Sequence, residues 1–213
     1  DGSGDDIIVQ NGGMIIYSSQ PTYNTGSTIR INNSGILRIS AGGLTGTKAV
    51  IHTTSHIYES GSVLEYTLTS SFSASGITYF PNVDENTIPI FRITALTASP
   101  GGNSATVING IIEVSSGANF SWSSTGTKTF RNGIKVYGNM GQGTSGQFII
   151  SATTAEISGT GTVALGAGGL SIAGNVTLSA ILDCDSCAIT GNGAMIVSDD
   201  ATLKIGSSDG LNG

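Results

Sequence analysis

Apolar and polar residues alternate with a period of two along much of the chain. The clearest form of the pattern is a triplet in which one charged residue stands between two apolar residues. Because successive side chains of a strand point to opposite faces, each triplet places its apolar pair on one face and its charge on the other. We therefore expect short strands with buried apolar pairs and charged residues that face water. The triplets are Ile29-Arg30-Ile31, Leu37-Arg38-Ile39, Leu64-Glu65-Tyr66, Phe91-Arg92-Ile93, Ile112-Glu113-Val114, Ile134-Lys135-Val136 and Leu203-Lys204-Ile205.

Glycine, often next to asparagine, precedes many of these strands, as in Asn33-Ser34-Gly35, Asn109-Gly110 and Asn132-Gly133. Both residue types tolerate a positive φ, which sharp corners between strands require. From Gly13 the corner glycines follow at intervals of 22, 26, 49 and 23 residues, ending at Gly133, and 49 divides into two units of about 24. Repeats of this size are too small to bury their own apolar faces, which indicates a solenoid.

The predicted fold class is all-β, a parallel β-helix or β-solenoid. Glycine interrupts every long run, and no window keeps the apolar spacing of an amphipathic helix. The alternative is a β-sandwich of short hairpins, because Asn-Gly is also typical of hairpin turns. We expect residues 1–213 to form one continuous solenoid segment of a longer repetitive chain, with 76–105 as the stretch where it would subdivide.

The composition excludes several classes of partner. Only 10% of the residues are charged, and the net charge is −6. Binding of nucleic acid requires a basic stripe that replaces phosphate counterions, so we expect no nucleic-acid partner. No apolar run approaches the roughly 18 residues of a membrane-spanning helix, so we expect no membrane insertion.

Cys184 and Cys187 form a single CxxC in the sequence "DCDSC". A zinc site would need a second pair of ligands at suitable spacing, and none follows. The remaining candidates are a disulfide that closes a small loop, two buried small residues at strand corners, and a redox pair. We favour a structural use.

Paired acids are the main candidates for chemistry, because clustered carboxylates serve as acid and base or as calcium ligands. Adjacent residues of a strand point to opposite faces, so neighbouring acids share a site only where the backbone turns. Each pair lies among Ser, Gly or Asn, which favours a solvated turn. We predict no catalytic residue and no cofactor, with calcium at Asp183, Asp185, Asp199 and Asp200 as the weak alternative. The acids are Asp5-Asp6, Asp84-Glu85, Asp183 with Asp185, and Asp199-Asp200.

Histidines and aromatic residues offer two further sites. His52 and His56 would share one face of a strand, but without an acidic partner they are weak zinc ligands, and we favour surface or corner positions. Phe120 and Trp122 alternate with polar residues as a core face does, so we predict that the aromatics pack in the core rather than form a sugar platform. The aromatics considered are Tyr58, Tyr66, Tyr79, Phe80, Phe91, Phe120, Trp122 and Phe130.

The C-terminal part of the chain carries a resemblance to a known group of proteins. "GNGAMIVSDDATLKIGSSDGL" (191–211) resembles a unit, roughly "sGtGsftlasGAtLkIGspdGI", that recurs in very large surface proteins of Bacteroidetes exported by type IX secretion, some of them gliding-motility adhesins. "AILDCDSCAITGNG", "TYFPNVDENTIPIFRIT", "TVINGIIEVSSGANFSW" and "TKTFRNGIKVYG" are similar to the segments that precede this unit. Where the unit has Gly before "AtL", this chain has Asp200.

The resemblance implies a secreted, non-catalytic segment of a bacterial cell-surface protein that supports attachment or gliding. The implied partners are other segments of the same protein, its secretion or attachment machinery, and surface glycans. The alternative function is a carbohydrate-active β-helix, either a glycan-binding module or a polysaccharide lyase or hydrolase. An enzyme needs acids from different coils that converge on a substrate, whereas an adhesin needs none.

Overall fold

A computed structural model describes residues 7–18, 28–40, 55–67, 72–73, 87–95, 100–101, 105–122, 125–143, 146–185 and 187–206. Every regular element in these ranges is a β-strand, and all the strand pairings are parallel. The described ranges contain no helix long and apolar enough to cross a membrane. Pairing joins strands of successive coils, as in Ile112 with Ile134. The fold is therefore a parallel β-solenoid, as predicted, and not a sandwich of hairpins.

The first face of the solenoid consists of two stacks of short strands. The strands of one stack are β1 (Ile7–Val9), β3 (Thr28–Ile31) and β5 (Ser55–Tyr58). The strands of the other are β10 (Thr106–Ile108), β13 (Lys128–Phe130), β16 (Phe148–Ile150), β18 (Leu170–Ile172) and β20 (Ile189–Thr190).

The main face is the longest stack. It contains β2 (Met14–Tyr17), β4 (Ile36–Ile39), β6 (Val63–Tyr66), β8 (Ile90–Ile93), β11 (Ile111–Val114), β14 (Ile134–Val136), the first halves of β17 (Thr154–Ala164) and β19 (Asn175–Cys184), and β21 (Ala194–Val197). Pairing runs from β6 through β8 to β11 without a break.

A third face begins beside the main face. It contains β12 (Asn119–Ser121), β15 (Asn139–Gly141), the second halves of β17 and β19, and β22 (Thr202–Ile205). A register shift between Ser158 and Thr162 divides the two halves of β17. A separate pair joins β7 (Phe72–Ser73) to β9 (Pro100–Gly101).

The triplets of the sequence stack on one another in register. Leu37 pairs with Leu64, Leu64 with Phe91, Phe91 with Ile112, and Ile112 with Ile134. All five side chains are buried. Strand β8 lies within the interval from Gly61 to Gly110, so this interval does hold two coils. The predicted repeat and the predicted buried face are confirmed here.

Most of the described aromatic side chains fill the interior, whereas Tyr137 is exposed. The rings of Phe120 and Trp122 meet edge to face with centroids 5.0 Å apart, and those of Phe130 and Phe148 do so at 5.1 Å. Such contacts add to the apolar burial of large rings. The prediction of core packing is confirmed for Tyr58, Tyr66, Phe91, Phe120, Trp122 and Phe130. Tyr79 and Phe80 lie outside the described residues.

The last triplet departs from the expected burial. Leu203 is half-buried and Ile205 is 37% exposed, although both were expected in the core. Strand β22 pairs with β19 on one side, and no described strand stacks on its other side. The register of Leu203 and Ile205 is as predicted, but within the described residues no further coil covers their side chains.

The corners between the first and main faces are hydrogen-bonded turns. The amide of Gly13 donates to the carbonyl of Gln10 (2.8 Å), and that of Gly35 donates to the carbonyl of Asn32 (2.8 Å). In the second corner the residue with positive φ is Ser34 (φ 61°), although glycine or asparagine was expected. Gly35 instead lies in the next position, where it is buried.

The register is testable with two neighbouring isoleucines. Ile112→Ala removes a fully buried side chain, so the free energy of unfolding should fall by about 2–5 kcal/mol. Ile111→Ala removes a half-buried side chain of the opposite face and should lower it by less than about 1 kcal/mol. Urea denaturation followed by circular dichroism measures both. Equal losses, or a larger loss for Ile111→Ala, would show that the register is wrong.

Candidate functional site

The outward residues of the main-face triplets form a column of alternating charge. The register places Arg38, Glu65, Arg92, Glu113 and Lys135 side by side on successive coils, and we call this set the charge column. The Nε of Arg38 donates to Oε1 of Glu65 (2.5 Å), and the Nε of Arg92 donates to Oε1 of Glu113 (2.6 Å). A further ion pair joins Arg92 to Oε2 of Glu65 (3.6 Å). The first four charges therefore neutralise one another along the axis, whereas Lys135 is in none of the ion pairs of the described residues.

Glu65 corrects the expectation that every triplet charge faces water. Its side chain is outward, yet the residue is only 4% exposed. Two arginines flank the carboxylate, one from each neighbouring coil. A buried carboxylate requires such partners, because an unpaired charge would lose its hydration without compensation. The register is as predicted, and burial here results from stacking.

Hydroxyl groups next to the charge column also bind the preceding coil. The hydroxyls of Ser40 and Thr67 donate to the carbonyls of Tyr17 (3.0 Å) and Ile39 (3.2 Å). The hydroxyl of Thr94 donates in the same way to the carbonyl of Tyr66 (3.4 Å). Polar groups of this part of the surface are thus directed along the solenoid axis.

A column of aliphatic side chains runs beside the charge column and stops at Gly133. In five successive coils an outward aliphatic residue stands at the start of the main-face strand, and a glycine takes that position in the next coil. The φ of Gly133 is +96°, and a Cβ there would lie 2.5 Å from the carbonyl oxygen of Glu156. A side chain is therefore excluded, and the surface is depressed at this point. The aliphatic residues are Met14, Ile36, Val63, Ile90 and Ile111.

An open cleft of about 570 Å³ lies at this depression, and we call it the outer cleft. Lys135, Glu156, Ser158 and Thr177 line it, and all four are outward residues of the main face. Asn132, Thr154 and Asn175 add further polar groups. The lining continues to Ile111 at one end of the cleft and Ile196 at the other, in the order set by the pairing of successive coils.

The two charged residues of the outer cleft, Lys135 and Glu156, differ from the outward charges of the preceding coils, which are ion-paired with one another. Within the described part of the chain, neither Lys135 nor Glu156 has an ion pair or a side-chain hydrogen bond. Lys135 pairs in register with Ser158, and Glu156 lies two residues before that serine on the same face. The cleft therefore presents one cation and one anion that the fold itself does not use.

Asp199 and Asp200 occupy the turn that the sequence predicts. The amide of Ala201 donates to the carbonyl of Ser198 (2.9 Å), which closes a β-turn with both acids exposed at its centre. The corresponding turn at Ser115–Ala118 has Gly117 with φ 77° where this one has Asp200. Asp200 has no positive φ, so this corner is built without the left-handed residue that glycine supplies.

The other predicted acids do not converge either. Asp183 accepts a hydrogen bond from Nζ of Lys204 (3.1 Å), and Asp185 is exposed in the following corner. Among the residues that the structure describes, no three His, Cys, Asp or Glu side chains are close enough to hold a metal ion. The remaining acids, Asp5-Asp6 and Asp84-Glu85, lie outside the described residues.

Cys184 and Cys187 are joined by a disulfide, with their Cα atoms 5.3 Å apart. Cys184 is the last residue of β19, and both cysteines are buried. The bond therefore closes the corner between β19 and β20. Of the two histidines, His52 lies outside the described residues, and His56 belongs to β5 with its side chain outside the described part.

Lys128 is an ionisable residue inside the solenoid. It is fully buried, because it shares the inward face of β13 with Phe130. Its Nζ donates to the carbonyl of Gly126 (2.6 Å) and lies 5.2 Å from the centre of the Trp122 ring. Burial lowers the pKa of Lys128 to about 8. The amine is satisfied locally, and the core is destabilised by its charge.

The chain has no match among known protein families, curated proteins or solved structures.

Sequence reasoning missed the outer cleft, although the sequence contains a signal for it. When the main-face triplets are aligned on their central charge, the residue just before the triplet is aliphatic in four successive coils and glycine in the fifth. These residues are Ile36, Val63, Ile90, Ile111 and Gly133. This change marks the end of the aliphatic column. The pairing of Glu156 and Thr177 with that position is not visible in the sequence, because the residues of β17 and β19 that stack on Lys135 are the uncharged Ser158 and Ser179.

The buried amine of Lys128 should make the free energy of unfolding depend on pH. The pKa of Lys128 in the folded state lies below the usual value for lysine. Between about pH 8 and 10 the unfolded chain therefore binds more protons than the folded chain, and the free energy of unfolding should rise with pH. Lys128→Met should raise the free energy of unfolding at pH 7 and flatten this rise. Urea denaturation between about pH 7 and 9.5 measures both effects. This range lies below the pH at which the buried Tyr58, whose pKa is raised by burial, makes stability fall as pH rises.

Lys204→Met is the matched control, because Lys204 is exposed. This control should leave the dependence of stability on pH unchanged. A Lys128→Met variant that keeps the wild-type slope, or that unfolds more easily at pH 7, would contradict the account of the buried amine.

Proposed function

We propose that the chain is a non-catalytic structural and adhesive segment of a large secreted bacterial cell-surface protein. In this proposal the stacked coils form a stiff rod that supports surface attachment or gliding. Its partners are other segments of the same protein, the secretion or attachment machinery, and surface glycans. The type IX-exported surface proteins that residues 191–211 resemble are the proposed relatives.

The observation that carries the proposal is the axial direction of the polar contacts on the main face. Arg38, Glu65, Arg92 and Glu113 bind one another from coil to coil, and neighbouring hydroxyls bind the preceding backbone. With a rise of about 4.8 Å per coil, the stack from β2 to β21 is about 40 Å long. Contacts of this direction resist bending and separation of the coils, which suits a rod.

Two further observations support the rest of the proposal. Disulfides such as Cys184–Cys187 persist mainly in oxidising compartments, which favours a secreted protein. Asp199 and Asp200 lie in an exposed turn, and Asp183 is bound to Lys204, so the described acids lack the convergence that glycan cleavage requires. The outer cleft favours a binding role over an enzymatic one, because Glu156 is the single carboxylate among its described lining residues.

Surface exposure is the direct test. Antibodies raised against the purified chain should label intact cells that produce the parent protein, since the proposal places the rod outside the cell. Deleting the segment in frame should reduce attachment or gliding while the shortened protein is still exported. Flow cytometry and a surface-attachment assay measure the two effects.

Two results would contradict the proposal. Labelling only after permeabilisation would place the chain inside the cell. Cleavage of a polysaccharide by the purified chain, lost in the double variant Asp199→Asn/Asp200→Asn, would show that the chain is an enzyme. Since asparagine keeps the preference for turns and removes only the charge, this double variant should fold normally.

A further inference from the structure

We propose that the outer cleft binds an uncharged glycan chain that lies along the solenoid axis. The proposal names the ligand of the adhesive role proposed above and rests on that role. Two parts of the main face differ in how their outward charges are used. The coils that precede Gly133 use their outward charges on one another, whereas Lys135 and Glu156 face the cleft without a partner in the described part of the chain.

The polar groups of the cleft match the chemistry of sugar hydroxyls. An ammonium group is a donor only, an ionised carboxylate is an acceptor only, and a sugar hydroxyl serves both. Lys135 can therefore donate a hydrogen bond to one sugar hydroxyl, and Glu156 can accept a hydrogen bond from another. The hydroxyls of Ser158 and Thr177 have no side-chain hydrogen bond within the described residues and add both a donor and an acceptor.

Apolar side chains at the ends of the cleft complete the match. Ile196 is 59% exposed, and Ile111 is half-buried at the opposite end of the cleft. Sugar rings present C–H groups as well as hydroxyls, so a chain of them contacts apolar and polar surface in turn. Binding sites of this kind combine an apolar lining with a few placed polar groups.

The charge and the backbone of the site disfavour other polymers. A polyanion would meet Glu156 on a chain whose net charge is −6. An extended peptide binds a sheet by adding a strand at an edge, and the strands beneath the cleft already pair on both sides: β14 with β11 and β17, and β17 with β14 and β19. An uncharged ligand that bonds through side-chain groups alone remains.

The spacing of the cleft residues along the axis matches the repeat of an extended sugar chain. Successive coils place Ile111, Gly133, Glu156, Thr177 and Ile196 in a line along the axis. At about 4.8 Å per coil, this line is roughly 19 Å long. The coil spacing is close to the length of one pyranose unit in an extended chain, so successive sugars meet equivalent positions of successive coils.

The test uses the whole chain on a printed array of uncharged and acidic oligosaccharides, followed by calorimetry with the uncharged oligosaccharide that binds best. We expect binding to uncharged oligosaccharides. Lys135→Gln and Glu156→Gln should each weaken it by about tenfold, because each removes a charged hydrogen-bonding partner. Thr177→Val should cause a smaller loss and should fold normally, since aliphatic residues occupy the same position in the preceding coils.

Matched controls separate the cleft from general charge effects. Lys204→Gln and Asp199→Asn make the same changes of charge outside the cleft and should leave the affinity unchanged. Circular dichroism verifies that each variant keeps its strands. Equal losses in the cleft variants and the controls, binding to acidic glycans only, or no binding to the array would each overturn the proposal.

These outcomes are independent of the proposed surface location. A chain that labels intact cells but binds no glycan would keep the structural role and lose the ligand. A chain that binds glycan through the outer cleft but stays inside the cell would keep the ligand class and lose the surface role.

Discussion

The structure depends on the in-register stacking of parallel coils. In such a stack each outward residue has a neighbour at the same position in the coil above and below, at the spacing of paired strands. An outward arginine at one coil therefore requires a compatible residue at the next, and Arg38, Glu65, Arg92 and Glu113 meet this requirement by alternation. The same constraint explains why Glu65 is buried although it points away from the core: the arginines of both neighbouring coils cover it.

Alternation within a strand was sufficient to predict much of the fold. The triplets identified five strands of the main face, β4, β6, β8, β11 and β14, and their inward residues. The interval between Gly61 and Gly110 indicated an unseen coil, and the turn at Asp199-Asp200 followed from small polar residues between two apolar runs. The position of Lys128 also follows from alternation, since it shares a face with Phe130. Alternation says nothing about which coils are neighbours, because repeat lengths vary along the chain. The ion pairs of Glu65 and the cleft at Gly133 both depend on that second kind of information.

The outer cleft is a local exception to the axial pattern. Where the aliphatic column stops at Gly133, the charges beyond it have no partners within the described residues, and the surface opens. One glycine thus separates a part of the rod whose surface groups bind one another from a part whose groups are available to a ligand. The buried amine of Lys128 is different, because its hydrogen bond to Gly126 and its contact with Trp122 lie inside the core.

A pair of double-mutant cycles tests most directly whether axial contacts hold the coils together. The first cycle combines Arg92→Ala with Glu113→Ala, whose charged groups lie 2.6 Å apart. The second combines Lys135→Ala with Glu156→Ala, which have no ion pair in the described residues. We expect a stabilising coupling free energy of about 0.5–1 kcal/mol in the first cycle and a coupling near zero in the second. No coupling between Arg92 and Glu113, or equal coupling in both cycles, would contradict this expectation.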